Sequence, residues 1–255
     1  MIVTVARLTR QITRADMRAA LAAINHQLRV HFRPEWGIEA RVRGIDALPR
    51  PGRIAAVEGT HEAIIYVGGS SQDPTTGVGT ARGYHSRNHR NVPYGFVYLD
   101  VCERNGSPWT RTLSHEVLEL LADPTAVTTI SGPAPGRRAR TVYYDLEVCD
   151  PTQADGYRIG RVIVSNFVGR AYFRLWGGSG RTNHLGLPLA PFGVRPGGYV
   201  QYEDHRGTHQ RNGAGITARH VAARRLLGAG RRNERRRLRI AARLRRPRGP
   251  EPVGR

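Results

Sequence analysis

The 255-residue sequence predicts an α+β fold, in which a mixed or mainly antiparallel sheet packs against a few helices. Short segments with the alternating apolar and polar residues of strands recur along residues 1–101 and 161–176. Two longer segments place apolar residues at helical spacing instead, near residues 14–29 and between residues 107 and 124. A chain of this length can bury a sizeable core, so we expect one domain with an extension.

The first elements are a strand and a helix. Residues 1–8 alternate in polarity, which predicts a strand. Thr13 and Asp16 resemble a capping box with aspartate in the usual Glu/Gln position, so a helix should begin there. Apolar residues then recur on one face of that helix, at Met17, Leu21, Ile24 and Leu28.

The middle of the chain combines strands with polar segments. Residues 68–83 are rich in Gly, Ser, Thr and Asp and predict a surface loop. The basic stretch 82–91 is expected to be a solvated loop. His85 is kept there as a candidate catalytic residue, since it could contact an anionic substrate or donate a proton to a transition state. Strands are expected at residues 38–42, 55–57, 63–67 and 94–101.

The segment SHEVLELLADP, residues 114–124, carries the most specific pattern. It matches the zinc-peptidase helix motif HExxH, except that Glu119 stands at the second histidine position. Residues four apart share a helix face, so His115 and Glu119 can point at one ion, and both are good zinc ligands. Glu116, about 100° round the helix, can act as a base on a metal-activated water. The alternative is an ordinary buried helix with a chance His-Glu pair.

A second acidic segment, YYDLEVCDP at residues 143–151, offers a third ligand. Zinc peptidases take that ligand from downstream of the helix and leave the fourth position to water. On a strand, Asp145, Glu147 and Cys149 share one face, while Asp150 comes at the end. This layout favours Glu147 as the ligand and Asp150 as its orienting partner, and Asp150 as the ligand stays open.

These two motifs resemble those of a family of uncharacterised bacterial and phage-associated proteins, which have a zincin-like HExxE helix followed by an ExxD segment. A more distant similarity runs to plant exordium-like proteins. The resemblance covers about residues 30–175 and implies a zincin-like, metallopeptidase-like fold. It also implies metal binding through His115, Glu119 and the Glu147/Asp150 pair. Further matching segments are Gly83-Tyr84-His85, PYGFVY at residues 93–98, GYRI at 156–159 and VSNFV at 164–168.

Positive charge is concentrated at the C-terminal end. The formal net charge is +20, and every basic residue is arginine, as high-GC codon usage would produce. Residues 205–255 hold 16 arginines against two acidic residues. We therefore divide the chain into a zincin-like domain, residues 1–204, and an Arg-rich tail, residues 205–255, partly helical or disordered. Such a tail could bind nucleic acid, an anionic surface or an acidic partner, or serve only to solubilise the chain.

The location expected from the sequence is cytoplasmic, in a bacterial or phage context. Residues 1–8 lack the apolar run and cleavage site of a signal peptide. No stretch approaches the roughly 18 apolar residues of a membrane span. The two cysteines, Cys102 and Cys149, are expected to be reduced, and Cys149 is a small buried apolar residue or an added soft ligand.

The leading functional hypothesis is a metallopeptidase-like hydrolase with a single zinc ion held by His115, Glu119 and Glu147 or Asp150. Glu116 would be the general base, and a peptide or protein substrate would add as a strand along residues 94–101. The alternative is a non-catalytic protein, metal-stabilised or a pseudoenzyme, whose Arg-rich tail binds nucleic acid or an acidic partner.

Overall fold

The computed structural model describes residues 1–48, 61–72, 83–87 and 92–216. These residues form a five-stranded sheet, a four-stranded sheet, a two-stranded hairpin and a few helices, which confirms the predicted mixture of sheets and helices. The strand predicted at residues 55–57 lies outside the described residues, and so does the Arg-rich tail from residue 217 onwards. Within the described part, no helix is both long and apolar enough to cross a bilayer.

The main sheet is mixed and largely parallel. Its strands are β1 (Ile2–Arg7), β2 (Arg41–Asp46), β3 (Ala63–Gly68), β4 (Gly83–Arg87) and β5 (Pro93–Tyr98). They are ordered β2-β1-β3-β5-β4, and β4 alone among them runs antiparallel to its neighbour. Two expectations are thereby corrected. The strand predicted at 94–101 is not at an edge, because β4 covers it. Residues 83–87 are a strand with a buried centre rather than a solvated loop.

The first helix is longer than predicted. It runs as α1 (Arg14–His26), continues through a π-helical segment (Gln27–Phe32) and ends as α2 (Arg33–Trp36). The predicted cap is confirmed: the Asp16 amide donates to Thr13 Oγ1 at 3.0 Å, and the Thr13 hydroxyl donates to the Asp16 carboxylate at 2.6 Å. The predicted apolar face is confirmed too, since its four members are buried: Met17, Leu21, Ile24 and Leu28.

The core lies between one face of the main sheet and two further helices, α3 (Leu99–Arg104) and α4 (Trp109–Ala122), together with α1. Alternate strand residues point to that face, among them the fully buried Val5, Ile65 and Val97. Leu113 and Val117 of α4 pack in the same cluster, because they lie four residues apart on one side of the helix. The helix that carries the HExxE motif is thus fixed against the sheet.

The remaining strands form two antiparallel units: β6 (Thr129–Ala134), β7 (Arg137–Asp145), β10 (Tyr199–Asp204) and β11 (Gly207–Asn212) in one sheet, and β8 (Gly156–Ile159) with β9 (Val162–Ser165) in the other. Because β11 pairs with β10, the folded body extends past the predicted boundary after residue 204. Strand-like alternation is expected along residues 161–176, but its second half instead begins with a single 3-10 turn, Arg170–Phe173.

Candidate metal centre

Helix α4 presents the motif residues from its buried middle. Its apolar side faces the core, so the neighbouring positions carry His115, Glu116 and Glu119 towards β4 and the segment after β7. Pro108 precedes the helix and Asp123 ends it. The Asp123 carboxylate accepts hydrogen bonds from the backbone amides of Thr125 and Thr128, at 3.3 and 2.7 Å, which fixes the turn that follows. The DP after the motif is therefore a structural stop.

His115, Glu119 and Asp150 converge. His115 Nε2 lies 3.0 Å from Glu119 Oε2 and 3.3 Å from Asp150 Oδ1. Bonds of about 2.0–2.2 Å around a tetrahedral ion place neighbouring ligand atoms about 3.3–3.6 Å apart. Each of the two pairs that include His115 Nε2 is therefore no farther apart than two ligands of one ion are. Glu119 and Asp150 are buried, and the His115 side chain is only 13% exposed.

The backbone after β7 orients Glu119. The amides of Cys149 and Asp150 both donate to Glu119 Oε1, at 3.1 and 3.2 Å. Residues 147 and 149 lie beyond the end of β7, so the strand face expected for Asp145, Glu147 and Cys149 does not form. Instead, the chain turns and brings Asp150 to His115. Because the two amides hold Oε1 of Glu119, its other oxygen, Oε2, faces the His115 imidazole. Hydrogen bonds to metal-ligating carboxylates orient them in the same way.

Glu147 lies against His85. His85 is at the centre of β4, paired with Gly95 of β5, and alternation along β4 turns its side chain towards α4. Its Nε2 is 3.8 Å from Glu147 Oε2, while its Nδ1 is 3.6 Å from Glu116 Oε2 and 3.8 Å from Glu119 Oε2. His85 is therefore a member of the site, fully buried among carboxylates.

Glu116 points towards the beginning of β4. A methyl group at Gly83 would lie 2.5 Å from Glu116 Oε1, so the missing side chain at residue 83 makes room for this carboxylate. Glu116 is buried, and among the described residues its Oε2 accepts no hydrogen bond. A buried carboxylate oxygen in this condition is costly in an apolar interior. It is also available to a cation.

The electrostatics of the site favour positive charge. Burial alone would lower the pKa of His115, but the charge of Glu119 and the hydrogen bond with Asp150 outweigh it and raise that pKa to about 10. The imidazole of the metal-free protein is thus protonated at neutral pH. Burial, then the charge of Glu119, raises the pKa of the Cys149 thiol well above its usual range. Cys149 is fully buried and stays a thiol without a metal.

A hydrogen-bonded polar group supports the start of the motif. The Ser114 hydroxyl donates to Gln27 Oε1 at 2.7 Å and accepts from the Ser165 amide at 3.1 Å. Gln27 Nε2 in turn donates to the Ser165 carbonyl at 2.8 Å. Sequence reasoning missed this connection between the first helix, α4 and β9. The available signal was a glutamine beside the apolar positions of an amphipathic helix.

His184 packs against neighbouring rings rather than against the carboxylates of the site. Its ring stacks on His31 at 4.5 Å and on Phe167 at 5.1 Å between centroids. Burial, followed by the charges of His31 and Arg181, lowers the pKa of His184 to about 4. The lone pairs of an imidazole lie in the plane of its ring, so two stacked rings such as those of His31 and His184 do not point them at a common ion. The contacts of His184 are therefore packing contacts.

Two groups of side chains in the described part are arranged so that they could hold a metal ion: His115–Glu119–Cys149 and His85–Glu119–Glu147. No protein-family model, no curated protein and no solved structure matches the chain. The protein is therefore described by its own fold and site. It is a mixed α/β protein with a buried cluster of histidines and carboxylates next to the HExxE helix.

Proposed function

We propose that the protein is a zinc-dependent hydrolase of the peptidase type. The observation that carries the proposal is the convergence of His115 Nε2 with Glu119 Oε2 at 3.0 Å and Asp150 Oδ1 at 3.3 Å, with Glu116 beside them. One imidazole and two carboxylates form a donor set that zinc accepts, with a fourth position left for water or substrate. These distances favour Asp150 over Glu147 as the third ligand.

The residues divide the chemistry between them. When bound, zinc supplies a Lewis acid that polarises a carbonyl and makes water more acidic. His115, Glu119 and Asp150 would hold the ion, and the amides on Glu119 Oε1 keep that carboxylate in place. Glu116, whose Oε2 has no hydrogen bond within the described residues, takes the proton of the attacking water and passes it to the leaving amine.

The strand proposed to bind the substrate is β4, whereas the sequence alone indicated residues 94–101, which include most of β5. Among the described residues, β4 occupies the edge of the main sheet nearest α4, and its alternate residues Gly83 and His85 face the helix. An extended peptide can add to such an edge through backbone hydrogen bonds. A peptide or protein segment is therefore the proposed substrate class.

Two variants test the hydrolase proposal. Metal analysis of purified protein should find zinc, and His115→Ala should lose the ion of this centre. The wild type should cleave members of a mixed peptide library, followed by mass spectrometry, whereas Glu116→Gln should keep its zinc and lose cleavage. Cleavage retained in Glu116→Gln would remove Glu116 from its role. Zinc without cleavage in any library would support a metal-stabilised, non-catalytic protein instead.

The Arg-rich tail carries a second candidate function, binding of nucleic acid through its phosphates. Its 16 arginines against two acidic residues are the observation that favours it. The structure changes the design of the deletion. A cut before residue 205 would remove β11, so the deletion should begin at residue 217. DNA or RNA affinity that survives loss of residues 217–255 would contradict this function.

A further inference from the structure

We propose that a second divalent metal ion binds between His85, Glu119 and Glu147, next to the ion proposed at His115. The inference rests on the proposed metal centre and extends it from one ion to two. The three side chains come from β4, from α4 and from the turn after β7, and all three are buried. Their donor atoms lie within 4.8 Å of one another.

The spacing of these donors suits a cation. His85 Nδ1 lies 3.8 Å from Glu119 Oε2, and His85 Nε2 lies 3.8 Å from Glu147 Oε2. Donors around one ion are about 3.3–3.6 Å apart when the bonds are about 2.0–2.2 Å. Only one nitrogen of an imidazole can face a given ion, and with one donor atom from each side chain the three donors lie within 4.8 Å of one another. The side chains therefore have to close in by up to about 1 Å to share an ion. One nitrogen and two carboxylate oxygens are a set that first-row divalent ions accept.

Glu119 connects the two positions. Its Oε1 is held by the amides of Cys149 and Asp150, so Oε2 is the oxygen that faces both imidazoles, His115 at 3.0 Å and His85 at 3.8 Å. An oxygen shared at about 2.0–2.2 Å from each of two ions keeps them within roughly 4 Å. That is the separation of about 3.5–4 Å at which hydrolases use paired metal ions.

The charge of the cluster also favours two cations. Four buried carboxylates meet here, from Glu116, Glu119, Glu147 and Asp150, and the imidazoles of the site supply at most two positive charges. One zinc ion at a neutral His115 supplies two positive charges, and an imidazolium at His85 would bring the total to three, still one short of the four carboxylates. Glu116 Oε2 gives an independent sign, because it is buried, aimed at His85 at 3.6 Å and accepts no hydrogen bond in the described part of the chain. A second dication brings the balance to zero.

Two glycines on β4 and β5 allow His85 and Glu116 to approach each other. Gly95, opposite His85 on β5, has no room for a side chain, since a methyl group there would lie 2.8 Å from the Tyr84 carbonyl oxygen. Gly83, two residues earlier on the same face, leaves space for Glu116. The Gly-Tyr-His sequence thus places a bare backbone position and then a nitrogen donor over α4.

Zinc stoichiometry tests this inference without reference to activity. Metal-free full-length protein is dialysed against buffered zinc, and bound zinc is measured by mass spectrometry together with titration calorimetry. The wild type should bind two zinc ions per chain. His85→Gln and Glu147→Gln should each bind one, with the second step weakened by more than the about 10–100-fold that loss of an orienting partner causes.

A matched control separates the site from surface histidines. His209 lies 2.8 Å and His205 4.0 Å from Asp204 on the β10–β11 hairpin, a partly exposed group that could take zinc by chance. The double variant His205→Ala/His209→Ala should still bind two ions. If it loses the second ion, that ion is a surface ion and the inference fails. Circular dichroism establishes that each variant is folded.

The remaining outcomes distinguish this inference from the proposed function. One zinc per wild-type chain overturns the second site, whether or not the variants fold, and leaves the His115 centre standing if His115→Ala loses that ion. Two ions that both persist in His85→Gln and Glu147→Gln place the second ion elsewhere and also overturn it. Two ions with the expected losses, but no peptide cleavage, support the second site and count against the hydrolase.

Discussion

The protonation state of His115 is the most direct prediction from the structure. In metal-free protein, burial opposes the positive charge, yet Glu119 and Asp150 raise the pKa of His115 to about 10, against 6.5 for an ordinary histidine. At pH 8 a histidine of pKa about 10 is about 99% protonated, whereas one of pKa 6.5 is about 3% protonated. The difference corresponds to an interaction on the order of 5 kcal/mol in favour of the imidazolium.

The assay is the side-chain ¹⁵N spectrum of metal-free protein from pH 6 to 11, with the His115 signals assigned from their loss in His115→Ala. We expect an imidazolium signal that persists past pH 8 and titrates near pH 10. Glu119→Gln, which removes the largest charge that favours the imidazolium, should lower the pH at which His115 titrates. His209→Ala is the control, since that ring is distant in sequence and pairs with Asp204 on the β10–β11 hairpin.

The raised pKa of His115 also determines how the stability of the metal-free protein changes with pH. Folding raises the pKa of His115, so protonated His115 stabilises the folded protein. This stabilisation is fully present below pH 6.5, the pKa of the unfolded chain, and is lost as the pH rises through about 10. Urea unfolding of metal-free protein should therefore show a decline in the free energy of unfolding across that window. A neutral His115 signal at pH 8, or a transition at or below 6.5, would refute the electrostatic reasoning behind the site.

Three further predictions concern single side chains. Gly83→Ala forces Glu116 to move, so peptide cleavage should fall at least about 10-fold while zinc content stays unchanged; loss of zinc would mean that Glu116 is itself a ligand. Asp150→Asn should weaken the zinc ion at His115 more than Glu147→Gln does in competition with a chelator, and the reverse order would restore Glu147 as third ligand. Ser114→Ala breaks two buried hydrogen bonds and should lower the free energy of unfolding by about 1–3 kcal/mol in urea, an effect that would be absent if water replaced the hydroxyl.

The fold was predictable where the signals were local. The cap at Thr13, the apolar face of α1 and the bounds of α4 depend on residues within a few positions of one another, and the structure has them as expected. The predictions failed where the local structure depends on pairing between segments that are distant in sequence. Residues 83–87 became the edge strand because they pair with β5, and residues 207–212 became β11 because they pair with β10.

The same division holds for the site. The four-residue spacing of His115 and Glu119 is a property of one helix, so the sequence alone placed them on a common face with Glu116 beside them. Whether Glu147 or Asp150 joins His115 depends on where β7 ends and how the chain turns, which a strand pattern does not contain. His85 is the clearest case. Its burial among carboxylates comes from the position of β4 beside β5 and α4, and only the tertiary structure brings those three elements together, because each contact closes a loop whose ends carry no local signal for the other.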